Sequence, residues 1–573
     1  MIRCPLGALS LVLLALASAQ ASDGKAEVLE RQDAMAARFD NLRGEAAAIR
    51  NLIATNVGAP ETVADRLIGP GDDIAAAFGA AEAGETLVVR GHHRITRALP
   101  LRDDMTIYLD GGIIDGSLLL DPAKWKRSGG LWRQPIPDAQ GSGKCFCGGE
   151  ERYLDDKLNP LATEREKLLV DGRFIFEVEP GKSRQGKWWR HVNGQAEINF
   201  DPAGHVIEVT HAEYIFDRGA KNVRIVSDSP ERGVIRGAAT PVHRGMINGL
   251  EASVGWTLDS ITIEDSAAIG ARLNCGLIRN AVIRENGQAG VTGQGKNCVW
   301  PDGAAHGKWF NSVVDSEIYD NNAALFKEEW EAAGVKLGLG IKACRVAGNR
   351  VWGNHATALW VDNRGGGSCV FENNLIWGNA RSGLHAEYQA KQPGHDYAFL
   401  ARNNIVVDNA PQGSYRCNKA GAMVRKQPDA AFLDNLFVLT GQANGFCIKH
   451  GSKAELNDSW FPHRNVVKGN IFVFMPGNRK SLNGPWSDRS EGIWRDFGAT
   501  IEGNTYVVQT GETPALWLLD ESEDREDADG ERRATWSEWR NEAGFDRSSE
   551  LKVVDNVLDW LRAHYPDAEA LLH

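Results

Sequence analysis

Two neighbouring stretches of this chain can be laid over each other almost residue for residue. Cys344-Arg-Val-Ala-Gly-Asn349-Arg-Val-Trp-Gly-Asn354-His-Ala-Thr-Ala-Leu-Trp360-Val-Asp362 matches Cys369-Val-Phe-Glu-Asn-Asn374-Leu-Ile-Trp-Gly-Asn379-Ala-Arg-Ser-Gly-Leu-His385-Ala-Glu387, each landmark displaced by 25 residues. The punctuation continues beyond them. An asparagine precedes a β-branched or aromatic run at Asn349, Asn374, Asn404, Asn435, Asn470 and Asn504, at intervals of 25, 30, 31, 35 and 34 residues. Repeats of this length with short β-rich runs restrict the chain to a solenoid. Helical repeats would need long stretches of 3.6-residue period, and leucine-rich repeats a regular leucine framework; neither is present. Asparagines stacked at a turn can bond one another's amides along the axis, which satisfies a buried polar group in every coil. The fold class predicted is all-β, a right-handed parallel β-helix. Because each coil touches only its neighbours, 573 residues need not divide into several globular domains.

The rest of the chain is read around this solenoid. Residues 1–21 combine an early Arg3, the apolar run Leu9 to Ala17 and Ala19-Gln20-Ala21, the pattern of a secretory signal peptide. The predicted location is therefore secreted or periplasmic. No later run reaches the roughly 18 apolar residues of a membrane span. Residues 22–68 are read as an N-terminal helical segment that offers a route to oligomerisation, 69–510 as the β-helix, and 511–573 as a helical C-terminal cap. An insertion at about 120–214 breaks the rhythm and reads as a small β unit; its Trp125, Trp132, Trp188 and Trp189 are read as core before sugar platforms. The formal net charge of −12 argues against nucleic acid and anionic membranes as partners, although a local basic groove could still meet an acidic polymer. Cys344 and Cys369 share the 25-residue offset, as a cross-coil disulfide or as two small buried thiols.

The same offset brings chemistry together. Adjacent parallel strands lie about 4.8 Å apart, so Asp362 and Glu387 are expected to stack on one face. Like charges at that spacing push one pKa upward, and a retaining glycosidase uses carboxyls about 5–5.5 Å apart, one ionised and one protonated. Trp360 and His385 share the face two residues earlier and are candidate substrate-binding residues, with Arg364 beside them. Lys336 lies 26 residues before Asp362 and is expected one coil away, next to a carboxylate. Glu331 and Glu329 are further candidates in that coil, Glu329 being favoured as the stacked one by counting from Asn321. No metal site is assigned and no cofactor is required; calcium is the alternative occupant of an all-oxygen pair.

At these residues the chain resembles the right-handed β-helix glycoside hydrolases of the β-xylosidase type, glycoside hydrolase family 120, and related secreted β-helix proteins. The resemblance rests on Gly334-Val-Lys336, Leu359-Trp360-Val-Asp362 and His385-Ala-Glu387, and extends over roughly residues 70 to 510. It implies Asp362 as nucleophile, Glu387 as acid/base and an oligo- or polysaccharide substrate. Asn363-Arg364 and Tyr388-Gln389 depart from the residues that follow the two carboxylates in that family. Two other functions stay open: a polysaccharide lyase or epimerase acting on a uronate-containing polymer, for which Lys336, Arg364, Arg381 and His385 are available, and a non-catalytic surface or matrix carbohydrate-binding protein.

Overall fold

The computed structural model describes residues 64–137, 159–239, 254–295, 311–512 and 516–572, with interruptions that include 329–331, 339–340, 363–366, 410–419, 451–462, 478–483, 488–497 and 521–532. The predicted signal peptide and the helical segment up to residue 63 lie outside the described residues. The end of that segment is not helical. Arg66–Ile68 is a strand that pairs in parallel with Leu87, Val88 and Val89, so it forms a rung of the solenoid. Its local sequence, Arg-Leu-Ile, carries the β-branched and aliphatic content of a short strand.

The body is a right-handed parallel β-helix. Two of its walls form one 24-stranded sheet, joined through the long bent strands Thr86–Arg94 and Thr106–Asp115. Among the described residues the third wall has nine strands, from Ile269–Asn274 to Leu519–Asp520. Each rung points alternate residues inward, and Ile107, Ile225, Leu258, Ile278, Val313, Val346 and Phe371 follow one another up the buried core of one wall.

Two corners hold the coils in register. At the first, a residue of left-handed conformation, Gly348, Asn373, Asn403, Asp434, Gly469 or Gly503, stands immediately before each ladder asparagine. Gly, Asn and Asp tolerate positive φ best. Asn349 Nδ2 then donates to Asn374 Oδ1 at 3.0 Å, and the chain of amides continues through Asn404, Asn435 and Asn470 to Asn504. It ends on Asp546, which accepts from Asn504 Nδ2, the Tyr506 hydroxyl and the Trp539 indole at 2.6–2.8 Å. The other corner has its own ladder, Asn286, Asn321, Asn354, Asn379 and Asn409, linked at 2.8–3.0 Å. Cys344 and Cys369 are a disulfide between adjacent rungs.

Between residues 117 and 210 the chain leaves the solenoid and builds two small sheets, of four and five strands. Leu168–Val170 and Arg173–Phe174 form a hairpin through Asp171-Gly172, both at positive φ, as a two-residue turn requires. Trp125 and Trp189 fill the core of this unit and Trp132 packs against it. Glu208 on Ile207–Thr210 bonds Arg236 Nη2 at 2.8 Å and Arg94 Nη2 at 2.5 Å, which fastens the unit to the wall beneath. At the far end, the helix Val557–His564 lays Val557 and Leu561 on Val407, Val438, Val473 and Val507.

Candidate active site

Four consecutive rungs of the third wall carry the site: Ala333–Gly338, Thr357–Asp362, Leu384–Glu387 and Ala420–Arg425. The strand alternation decides what faces where. Val335, Leu337, Leu359, Val361, Leu384, Ala386, Ala422 and Val424 join the solenoid core. The residues between them make two outer columns. One reads Lys336, Trp360, His385, Met423; the other reads Gly338, Asp362, Glu387, Arg425.

Asp362 and Glu387 are thus cross-strand partners in register. Lys336 is not a rung-mate of Asp362. It pairs with Trp360, and the position next to Asp362 is Gly338. The expected 26-residue step is really 24, because equivalence follows the small residue that opens each strand segment: Gly334, Ala358, Gly383 and Gly421. The lysine still reaches the carboxylate along the diagonal, with Nζ 3.1 Å from Asp362 Oδ2 and 3.5 Å from the centre of the Trp360 ring. Gly338 also displaces Glu329 from the stacked position; Glu329, Glu331 and Arg364 lie outside the described residues.

Trp360 and His385 stack with ring centres 4.7 Å apart and planes within 13°. Both are buried, and His385 Nε2 lies 3.7 Å from Glu387 Oε2. The Trp360 indole N–H is buried without a hydrogen-bond partner among the described residues. The two carboxylates differ in setting. Glu387 is 5% exposed, whereas the Asp362 side chain is 30% exposed. Burial, and then the Asp362 charge beside it, push the Glu387 carboxyl up to about 7 against the pull of Arg425, Lys336 and Arg381. At neutral pH one member of the pair can therefore carry a proton. Among the described residues no group of three or more His, Cys, Asp or Glu side chains is placed to hold a metal ion.

Arg425 escaped the sequence reading. Its Nε is 3.6 Å from Glu387 Oε1. It lies 38 residues after Glu387, a coil too long to count across, but Gly421-Ala-Met-Val-Arg425 repeats the frame of Gly383-Leu-His-Ala-Glu387 and signals the position.

Residues 247–461 match the family model described as "Right handed beta helix region". No curated protein sequence matches the chain. Among solved structures, the chain is similar to that of "XylC with xylose", at 17% identity and a TM-score of 0.54, covering 77% of this chain and 83% of that one. A structure titled "Glycoside hydrolase" matches at 11% identity and a TM-score of 0.39 over 76% of this chain and 99% of that one. The A-module of the mannuronan C-5 epimerase AlgE4 of Azotobacter vinelandii matches at 14% and 0.37, over 77% and 94%. The family model and the likeness to the XylC structure agree with the β-helix fold. Among the described residues no helix is long and apolar enough to cross a membrane.

Proposed function

We propose that the protein is an exported retaining glycoside hydrolase that acts on an oligo- or polysaccharide. The observation that carries this reading is the in-register pair of Asp362 and Glu387 on an outer wall, with the buried member raised to about 7. Asp362, more exposed and paired with the Lys336 ammonium, attacks the anomeric carbon. Glu387 first gives its proton to the leaving oxygen. It then takes a proton from the water that hydrolyses the glycosyl ester. Lys336 and the Trp360–His385 stack orient the sugar and Asp362.

The test is a panel of aryl glycosides, α and β, given to the wild type, Asp362→Asn and Glu387→Gln. Cleavage by the wild type with retained anomeric configuration, seen by proton NMR at early times, is the expected result. Each variant should lose about a thousandfold or more in kcat/KM, the scale of an essential nucleophile or acid. An inverted first product, or full activity in either variant, would overturn the assignment.

A further inference from the structure

Three cations, Arg425, Lys336 and Arg381, act on Glu387 alongside the Asp362 carboxylate. Two of the three cations are committed to the protein. Lys336 is 4% exposed and paired with Asp362. Arg381 is equally buried and donates from Nη1 to the Glu328 carbonyl at 2.8 Å. Arg425 is different. Its side chain is 45% exposed, its Nε lies 3.6 Å from Glu387 Oε1, and it makes no hydrogen bond among the described residues. A guanidinium has five N–H donors in a flat fork that matches a carboxylate. Arg425 stands one rung beyond Glu387 on the same outer column, with Nε 3.6 Å from Glu387 Oε1, so a sugar held at the carboxylate pair lies within reach of its fork. The next residue of the column is Lys449.

We infer that Arg425 anchors a carboxylate on the substrate, so that the sugar bound against Asp362 and Glu387 is a uronic acid unit. This rests on the hydrolase reading for the reaction but not for the binding. A neutral sugar would leave the guanidinium fork to water. A carboxylate at ring C5 would engage it and hold the ring by two parallel hydrogen bonds.

Aryl xylosides, glucosides and glucuronides with one leaving group differ only in the C5 substituent: hydrogen, hydroxymethyl or carboxylate. Wild-type kcat/KM should favour the glucuronide by about tenfold or more, the effect of one well-formed charged hydrogen-bonding pair. Arg425→Ala should bring that ratio towards unity, and Arg425→Lys should retain part of it. Calorimetric Kd values for the same three compounds on Asp362→Asn give a readout without turnover and should show the same order. Equal treatment of the three compounds, or a glucuronide preference that survives Arg425→Ala, would overturn the inference. Cleavage of neutral glycosides lost in Asp362→Asn but showing no carboxylate preference sinks the uronate site and leaves the hydrolase standing. Selective binding of the glucuronide without hydrolysis does the reverse, as does an unsaturated, ultraviolet-absorbing product from a uronate polymer.

Discussion

Glu387 is the residue on which the chemistry turns, and its environment makes its behaviour predictable. Burial and Asp362 raise its pKa; Arg425, Lys336 and Arg381 oppose them. An acid must hold its proton, so the alkaline limb of kcat/KM should fall near about 7. Asp362→Asn removes the second-largest raising cause, and the Glu387 carboxyl should then titrate lower, which carbon NMR of labelled glutamate can follow. Arg425→Gln removes a lowering cause and should move the limb upward. An unchanged limb in Arg425→Gln would mean that another group sets it. The same shift carries a stability consequence. A carboxyl raised on folding contributes stability that is present below its unfolded value of 4.5 and is lost as pH rises through about 7. Glu387→Gln should therefore gain on the wild type above pH 7. The carboxylate pair itself was legible in the sequence, because the two segments that carry it match residue for residue at one offset of 25. Counting coils does not reach Arg425, because the coil that brings it back is longer; only the repeated frame from Gly421 to Arg425 marks it.

The elements around the site are held by polar networks as much as by apolar packing. The asparagine ladder was readable at the corner where Gly, Asn or Asp precedes each Asn, since both residues have a conformational reason to be there. The second ladder, through Asn286, Asn321 and Asn409, was hidden by the varied residues before it: Glu285, Asp320 and Asp408. What no sequence spacing could show is the junction of the small sheets with the solenoid. There Arg236 meets Glu208, Asp115 and Asp265 at 2.8–3.1 Å, from parts of the chain up to 121 residues away. All three carboxylates are buried. Removing the cation strands them, and breaking such a buried cluster costs about 3–5 kcal/mol. Arg236→Ala should lower the urea midpoint accordingly. The sign with pH is testable too. Despite desolvation, hydrogen bonds and charges from His92, Arg236, Arg94 and Ser117 hold Asp115 below its ordinary value, and Arg236 with Arg94 does the same for Glu208. Their contribution is present above the unfolded carboxylate range and is lost as pH falls through the depressed values. The gap between Arg236→Ala and the wild type should therefore narrow in acid. A gap independent of pH would assign the loss to packing alone.

A solenoid has two ends and a long flank, and the whole molecule depends on how they are covered. Coils communicate only with their neighbours, so damage at one end need not reach the site. The helix Val557–His564 covers the outer face of one wall, where Val407, Val438, Val473 and Val507 would otherwise form a stripe of apolar residues on parallel strands. Such a stripe beside strand edges is a template for association. Leu561 is fully buried against it. Placing a charge there, in Leu561→Asp, desolvates an unpaired carboxylate and should cost about 3 kcal/mol of local stability. The helix then detaches and leaves the rest of the chain folded. Light scattering after size exclusion should show concentration-dependent oligomers in Leu561→Asp and not in the wild type. The Asp362–Glu387 pair sits on another wall, and the two coils that carry it are joined by the Cys344–Cys369 bond. Turnover per folded chain should therefore hold at concentrations below association. Loss of turnover in step with helix detachment would mean that the solenoid responds as one cooperative unit and not as a stack of coils.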